Sequence, residues 1–169
     1  VSLGAEETGI IAKIETPAAL RELEKIIDAS DAVLVARGDL GMHFQLQEVP
    51  RLQEKIVKES IGRGKPVIVA TQILGSMMES PVPTRSEIVD VVTAIQEGVD
   101  VLMLTGETAV GKYPVETVRW LRRILETYES TINPPEIELP SEVGIRDRFA
   151  SGIVSLAESL NAVIAVYTR

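Results

Sequence analysis

AVLVARGDLG, residues 32–41, opens as a run of small apolar residues and closes on an arginine, a glycine and a carboxylate. The run does not alternate between apolar and polar, so it reads as a strand of a parallel sheet, buried on both faces under helices. Three further stretches share its design: Ile10–Ile14, Pro66–Ala70 and Val101–Leu104. Each runs into polar residues: Lys13-Ile14-Glu15, Arg37-Gly38-Asp39, Thr71-Gln72 and Thr105-Gly106-Glu107-Thr108. Strand ends near residues 15, 37, 71 and 105 are spaced by about 22, 34 and 34 residues, against roughly 31 per unit in a (β/α)8 barrel. Four such units make half a TIM barrel.

Helical patterns fill the intervals. Thr16-Pro17 supplies an N-cap and a proline at the first helical position, followed by Leu20, Leu23, Ile26 and Ile27 at helical spacing. A second helix is expected from Val49 to Ile61, stopped by Gly62 and Gly64, and a short helical piece over Ile73–Met78. After the breaker Pro81-Val82-Pro83, Thr84 and Glu87 have capping-box spacing, and that helix runs through Ile88, Val91, Val92 and Ile95 to Gly98. Tyr113-Pro114 opens a long helix to about Ile132. These elements make residues 1–132 one partial barrel domain. Asn133–Pro140 (NPPEIELP) reads as a linker. Residues 141–169, with a helix over Asp147–Leu160 and a buried strand over Ala162–Tyr167, read as the start of a truncated second α/β domain.

The 169 residues are 45% apolar but only 4% aromatic, so the core is aliphatic. A net charge of −8 argues against a nucleic-acid partner, which needs a basic stripe. An anionic substrate stays possible, because a bound metal inverts the local sign. With no cysteine and one histidine, thiolate catalysis, disulfides and Cys- or His-rich metal sites are excluded. No apolar run nears the roughly 18 residues of a membrane span, and no signal peptide pattern opens the chain; the expectation is a cytoplasmic protein without a membrane partner.

Alternate residues of a strand share a face, so Lys13 and Glu15 point the same way. Glu15 and Asp39 suit a hard cation such as Mg²⁺, which takes one or two carboxylates plus waters and substrate oxygens. An ordinary salt bridge, Lys13 with Asp39 or Arg37 with Glu15, explains the same residues, and chemistry alone leaves both open. Beside a metal, Lys13 is a point charge for a phosphate or enolate. Gly38-Asp39-Leu40-Gly41 is expected to form a glycine-flanked turn whose amides can cradle an anion. His43 falls outside this group as a surface or interface residue, and Met77-Met78 is expected to fill core gaps.

Lys13-Ile14-Glu15 followed by Val35-Ala36-Arg37-Gly38-Asp39-Leu40-Gly41 resembles pyruvate kinase. Lys65-Pro66-Val67-Ile68-Val69-Ala70-Thr71-Gln72, Pro83-Thr84-Arg85-Ser86-Glu87 and Met103-Leu104-Thr105-Gly106-Glu107-Thr108-Ala109 extend the resemblance in the same order. It implies strands five to eight of the barrel, followed by the first helix and strand of the C-terminal domain. It also implies phosphoryl transfer from phosphoenolpyruvate to ADP, giving pyruvate and ATP, with Mg²⁺ or Mn²⁺ and with K⁺, in a homo-oligomer, commonly a tetramer. By the same resemblance Glu15 and Asp39 are metal ligands and Lys13 stabilises the transferring phosphoryl group. Gly38 and Asp39 hold the substrate carboxylate, Thr71 lies beside it, and Arg37 is a supporting residue. Thr105 replaces the usual serine and Gly75 a common glutamate. The first half-barrel and the lid domain are not in this chain, so it is expected to be inactive alone. Two other classes fit parts of the sequence: a metal-dependent aldolase or lyase acting on pyruvate-like substrates, and a non-catalytic interaction fragment that keeps the fold. Retro-aldol activity without ADP marks the first; indifference to Glu15→Gln and Asp39→Asn marks the second.

Overall fold

A computed structural model describes residues 8–129, so the linker and second domain expected beyond them lie outside the described residues. Strands β1 (Ile11–Ile14), β2 (Ala32–Ala36), β3 (Val67–Ala70) and β4 (Val101–Met103) form one parallel sheet in sequential order. The helices are α1 (Pro17–Arg21), α2 (Leu23–Asp28), α3 (Arg37–His43), α4 (Val49–Gly62), α5 (Arg85–Gln96), α6 (Gly106–Ala109) and α7 (Pro114–Tyr128). Two 3₁₀ turns, Leu46–Glu48 and Gly75–Met78, complete the described elements.

Local chemistry explains the boundaries. Thr16 accepts the Ala19 N–H and starts α1, while Thr84 and Glu87 form the expected capping box at α5. The expected helix after Pro17 is interrupted at Glu22, which leaves the helical region and divides α1 from α2. Gly62 is the last residue of α4; the stop is made two residues on by Gly64, whose φ of 64° is the left-handed conformation that glycine adopts without a Cβ penalty.

Register fixes which side chains share a face. Ile14, Val35, Val69 and Leu102 form one row across the sheet; Lys13, Leu34, Ile68 and Val101 form the row on the opposite face. On the first face Val33, Val35, Val67 and Val69 are completely buried, in one cluster with Leu23 and Ile27 of α2 and Ile56 and Val57 of α4. Full burial of each such side chain contributes roughly 1.5–3 kcal/mol. A second cluster joins Ile73, Leu74 and Met77 to Val91 of α5 and Leu121 and Ile124 of α7.

The opposite face corrects the expectation of strands buried on both sides. Ile11, Val101 and Met103 are exposed there, and Leu34 and Ile68 are only partly covered. The apolar run specifies an apolar environment on each face; among the described residues helices supply it on one face only.

Candidate functional site

The carboxyl ends of β1, β2 and β3 bring together Lys13, Glu15, Arg37, Gly38, Asp39 and Thr71. Parallel pairing does this directly: Lys13 lies opposite Leu34, and Ala36 opposite Ala70, so the residues after each strand meet at one end of the sheet. Lys13 Nζ sits 2.5 Å from Glu15 Oε2 and 2.7 Å from Asp39 Oδ2. One ammonium thus neutralises half of a two-carboxylate pair. Close contact with the Asp39 carboxylate, then with that of Glu15, raises the Lys13 pKa above its ordinary value. The Lys13 hydrogen bond likewise holds the Asp39 carboxyl below its ordinary value, against the opposing effect of burial. Glu15 Oε2 is buried yet receives no hydrogen bond of normal geometry, so its short approach to Lys13 is a contact of charges rather than an aimed N–H.

Of the two salt bridges the sequence left open, Lys13–Asp39 forms and Arg37–Glu15 does not. Arg37, the first residue of α3, is buried and turns to the next strand end. Its Nε and Nη2 donate to the Thr71 carbonyl at 3.1 and 3.0 Å, Nη2 donates to the Gln72 carbonyl at 2.7 Å, and Nη1 meets Asp90 Oδ1 at 2.7 Å. Thr71 and Gln72 have φ of 69° and 57°. For residues with a Cβ each such conformation costs roughly 1–2 kcal/mol, and a β-branched threonine is an especially rare occupant. Charge-assisted bonds to their carbonyls, about 1.5–3 kcal/mol each, offset that strain.

Gly38-Asp39-Leu40-Gly41, expected as a turn, is the first part of α3. The Gly38 N–H donates to Thr71 Oγ1 at 2.8 Å. A Cβ on Gly38 would lie 3.2 Å from that oxygen, so the glycine permits the approach of the two strand ends. At the end of β4, the buried Glu107 accepts from Thr105 N–H at 2.9 Å and from the Thr105 hydroxyl at 3.3 Å, within its own loop. His43 is exposed in the last turn of α3 and reaches Asp39 only through a weak attraction. Met77 is fully buried in the second core cluster.

Among the described residues no three His, Cys, Asp or Glu side chains gather as a metal cage. The donors present nevertheless fit a hard divalent cation bound through two carboxylates, with waters and substrate oxygens filling its shell. Glu15 and Asp39 converge on one positive charge, and Glu15 Oε2 lacks an aimed donor. Sequence reasoning missed Asp90, whose link to Arg37 spans 53 residues, and missed the reach of Glu87 to Ser76. No local pattern marks either.

Comparison with known proteins follows the same residues. A family profile described as pyruvate kinase, barrel domain, matches residues 3–118. A pyruvate kinase of Aeropyrum pernix is 46% identical over 167 residues, 99% of this chain and 36% of the relative. One of Pyrobaculum aerophilum is 49% identical over 96% of this chain and 34% of the relative. The crystal structure of the Pyrobaculum aerophilum pyruvate kinase superposes with a TM-score of 0.83 at 49% identity, covering 91% of this chain and 36% of that one. That of a Cryptosporidium parvum pyruvate kinase gives 0.85 at 36% identity, covering 91% and 32%. The chain thus spans about a third of the length of these relatives.

Proposed function

The chain belongs to the pyruvate kinase family, and from that membership we propose that it carries strands five to eight of the barrel and, on them, part of a site moving a phosphoryl group from phosphoenolpyruvate to ADP. The observation that carries this reading is the Lys13 ammonium held between Glu15 and Asp39 next to the Gly38–Thr71 contact. The apolar sheet face left open by the helices supports the half-barrel, since further strands closing the sheet would cover it.

Phosphoryl transfer is achieved mostly by positioning and charge neutralisation. Glu15 and Asp39 are the residues that would hold a Mg²⁺ or Mn²⁺ ion, which supplies Lewis-acid stabilisation of phosphoryl and enolate oxygens. Lys13 gives a positive charge to the phosphoryl oxygens in transit. The Thr71 hydroxyl, whose oxygen already accepts the Gly38 N–H, keeps its own O–H for the substrate carboxylate, alongside the Asp39 amide. K⁺, a tetrameric assembly and a cytoplasmic location follow from the family resemblance alone. No helix among the described residues is long and apolar enough to cross a membrane.

The test is a coupled assay of pyruvate formation from phosphoenolpyruvate and ADP with Mg²⁺ and K⁺. The chain alone is expected to show no turnover, and the chain combined with the first half-barrel and lid domain is expected to restore it. Turnover by the chain alone overturns its incompleteness. Failure of the reconstituted pair, with both pieces folded and associated, overturns the assigned reaction.

A further inference from the structure

We propose that Asp90, Arg37 and Thr71 form a positioning relay. Asp90 aims the Arg37 guanidinium, and Arg37 holds Thr71 and Gln72 in the left-handed conformation that presents the Thr71 hydroxyl to the substrate carboxylate. The substrate part of this statement rests on the reading of Thr71 given above; the geometric part does not.

Arg37 is an expensive residue to bury at a strand end, and every nitrogen of its fork is committed. Nε and Nη2 converge on the Thr71 carbonyl, Nη2 also takes Gln72, and Nη1 takes Asp90. A guanidinium that serves only as a counter-ion needs no such fork; two consecutive carbonyls turned by positive φ do. Backbone strain held by surrounding structure is characteristic of sites where a side chain must be aimed. The neighbouring residue completes the arrangement, since Gly38 donates its N–H to the hydroxyl of the same threonine. Main chain and side chain of Thr71 are thereby fixed by two consecutive residues, Arg37 and Gly38.

Asp90 is the anchor at the other end. It lies on α5, whose first turn holds the same loop a second time: Glu87 accepts the Ser76 N–H at 2.6 Å and the Ser76 hydroxyl at 2.5 Å. Helix α5 thus grips the segment after β3 at two points, and only the Asp90 grip passes through Arg37 to Thr71. Asp90 is partly exposed, so changing it leaves the apolar core intact. It touches no reacting group and is a positioning residue.

The test uses the ¹⁵N-labelled 169-residue chain and its Asp90→Ala and Asp90→Asn variants. Amide hydrogen exchange at Gly38 is compared with that at Val69 in the buried strand. Asp90→Ala is expected to speed Gly38 exchange about tenfold with Val69 unchanged, the signature of local rather than global opening. Asp90→Asn, which keeps an acceptor oxygen for Arg37, is expected to restore most of the protection. An unchanged Gly38 rate, or Gly38 and Val69 rising together, overturns the relay. Pyruvate with Mg²⁺ is then titrated into both proteins. A Gly38 shift in the wild type that weakens in Asp90→Ala supports the relay, and equal shifts in both overturn its role at the substrate. Shifts in neither overturn the substrate reading, and the clamp then stands or falls on the exchange rates.

Discussion

Replacing Glu87 by alanine should loosen the join between α5 and the loop after β3. Its carboxylate accepts the Ser76 N–H and hydroxyl, and also the Thr84 N–H and hydroxyl, both at 2.8 Å. Loss of the capping interaction at Thr84 costs about 0.5–2 kcal/mol, and loss of an acid in the first helical turn about 0.3–1 kcal/mol. The part-buried pair at Ser76 adds about 1–2 kcal/mol, water replacing some of what is lost. These contributions overlap, so Glu87→Ala is expected to cost about 2–3 kcal/mol in all, a fall of roughly 1 M in the urea midpoint followed by circular dichroism. Glu87→Gln keeps one acceptor oxygen and should cost about 1 kcal/mol at pH 7. Burial works to raise the Glu87 pKa, but the bonds from Ser76 and Thr84 outweigh it and hold the carboxyl below its ordinary value. A carboxyl with a depressed folded-state pKa stabilises fully above the unfolded value, near 4.3, and loses that stabilisation as pH falls through the folded value. The gap between wild type and Glu87→Gln should therefore be constant from pH 7 to about 5 and close below about 4. A cost under about 0.5 kcal/mol for Glu87→Ala, or a Gln gap of the same size at pH 3 and pH 7, would refute the reasoning.

Lys13→Met removes the ammonium from between Glu15 and Asp39, so Mn²⁺ followed by water-proton relaxation should bind several-fold more tightly. Glu15→Gln should weaken binding, and unchanged affinity in Lys13→Met would show that the ammonium does not compete with the cation. Gly38→Ala places a Cβ 3.2 Å from Thr71 Oγ1, where Arg37 keeps the threonine from retreating; thermal unfolding should show a loss of about 1–3 kcal/mol. Glu97 has its pKa raised, by burial first and by Glu54 and Asp90, although Gln53 donates to it at 2.7 Å. It also caps the carboxyl end of α5, where a negative charge is unfavourable. Its raised folded-state pKa means stability is lost as pH rises through that value, so Glu97→Gln should stabilise by about 0.5 kcal/mol at pH 7 and confer no advantage below about pH 4.

The strand β2 was legible because the apolar run Ala32–Ala36 is bounded by the charged residues Asp31 and Arg37, and the observed strand has those limits. Thr16 and Thr84 announced their helices because capping is a local contact. Lys13, Glu15 and Asp39 could be grouped because strand alternation and parallel order are both readable. The Thr71–Gln72 conformation was not, since neither residue prefers positive φ and the force that imposes it comes from Arg37, 34 residues away in the chain. Gly38 and Gly41 suggested a turn by their low helix propensity, yet tertiary placement at the end of β2 carries them into α3. The open sheet face was hidden for a related reason: an apolar run states what a strand needs on each side, not which segment provides it.

Acids that satisfy the backbone and the Glu15–Asp39 pair are used differently, and that contrast is what separates scaffold from site; Glu107, which accepts the Thr105 N–H at the end of β4, belongs with the scaffold. At the amino ends, Asp31 accepts the Ile10 N–H at 2.6 Å and Asp100 accepts the Val67 N–H at 2.8 Å, so each acid satisfies the backbone of the preceding strand. Such acids have their charge answered by fixed donors and are poor ligands for anything else. At the carboxyl ends of β1 and β2, Glu15 and Asp39 are both answered by the tip of one lysine, and Glu15 Oε2 is buried with no hydrogen bond of normal geometry. A lysine can swing away where a backbone amide cannot, so the second pair of carboxylates can be surrendered to a cation at little structural cost. The same sheet therefore offers acids of identical chemistry at both ends, and only those left without backbone partners are available for binding.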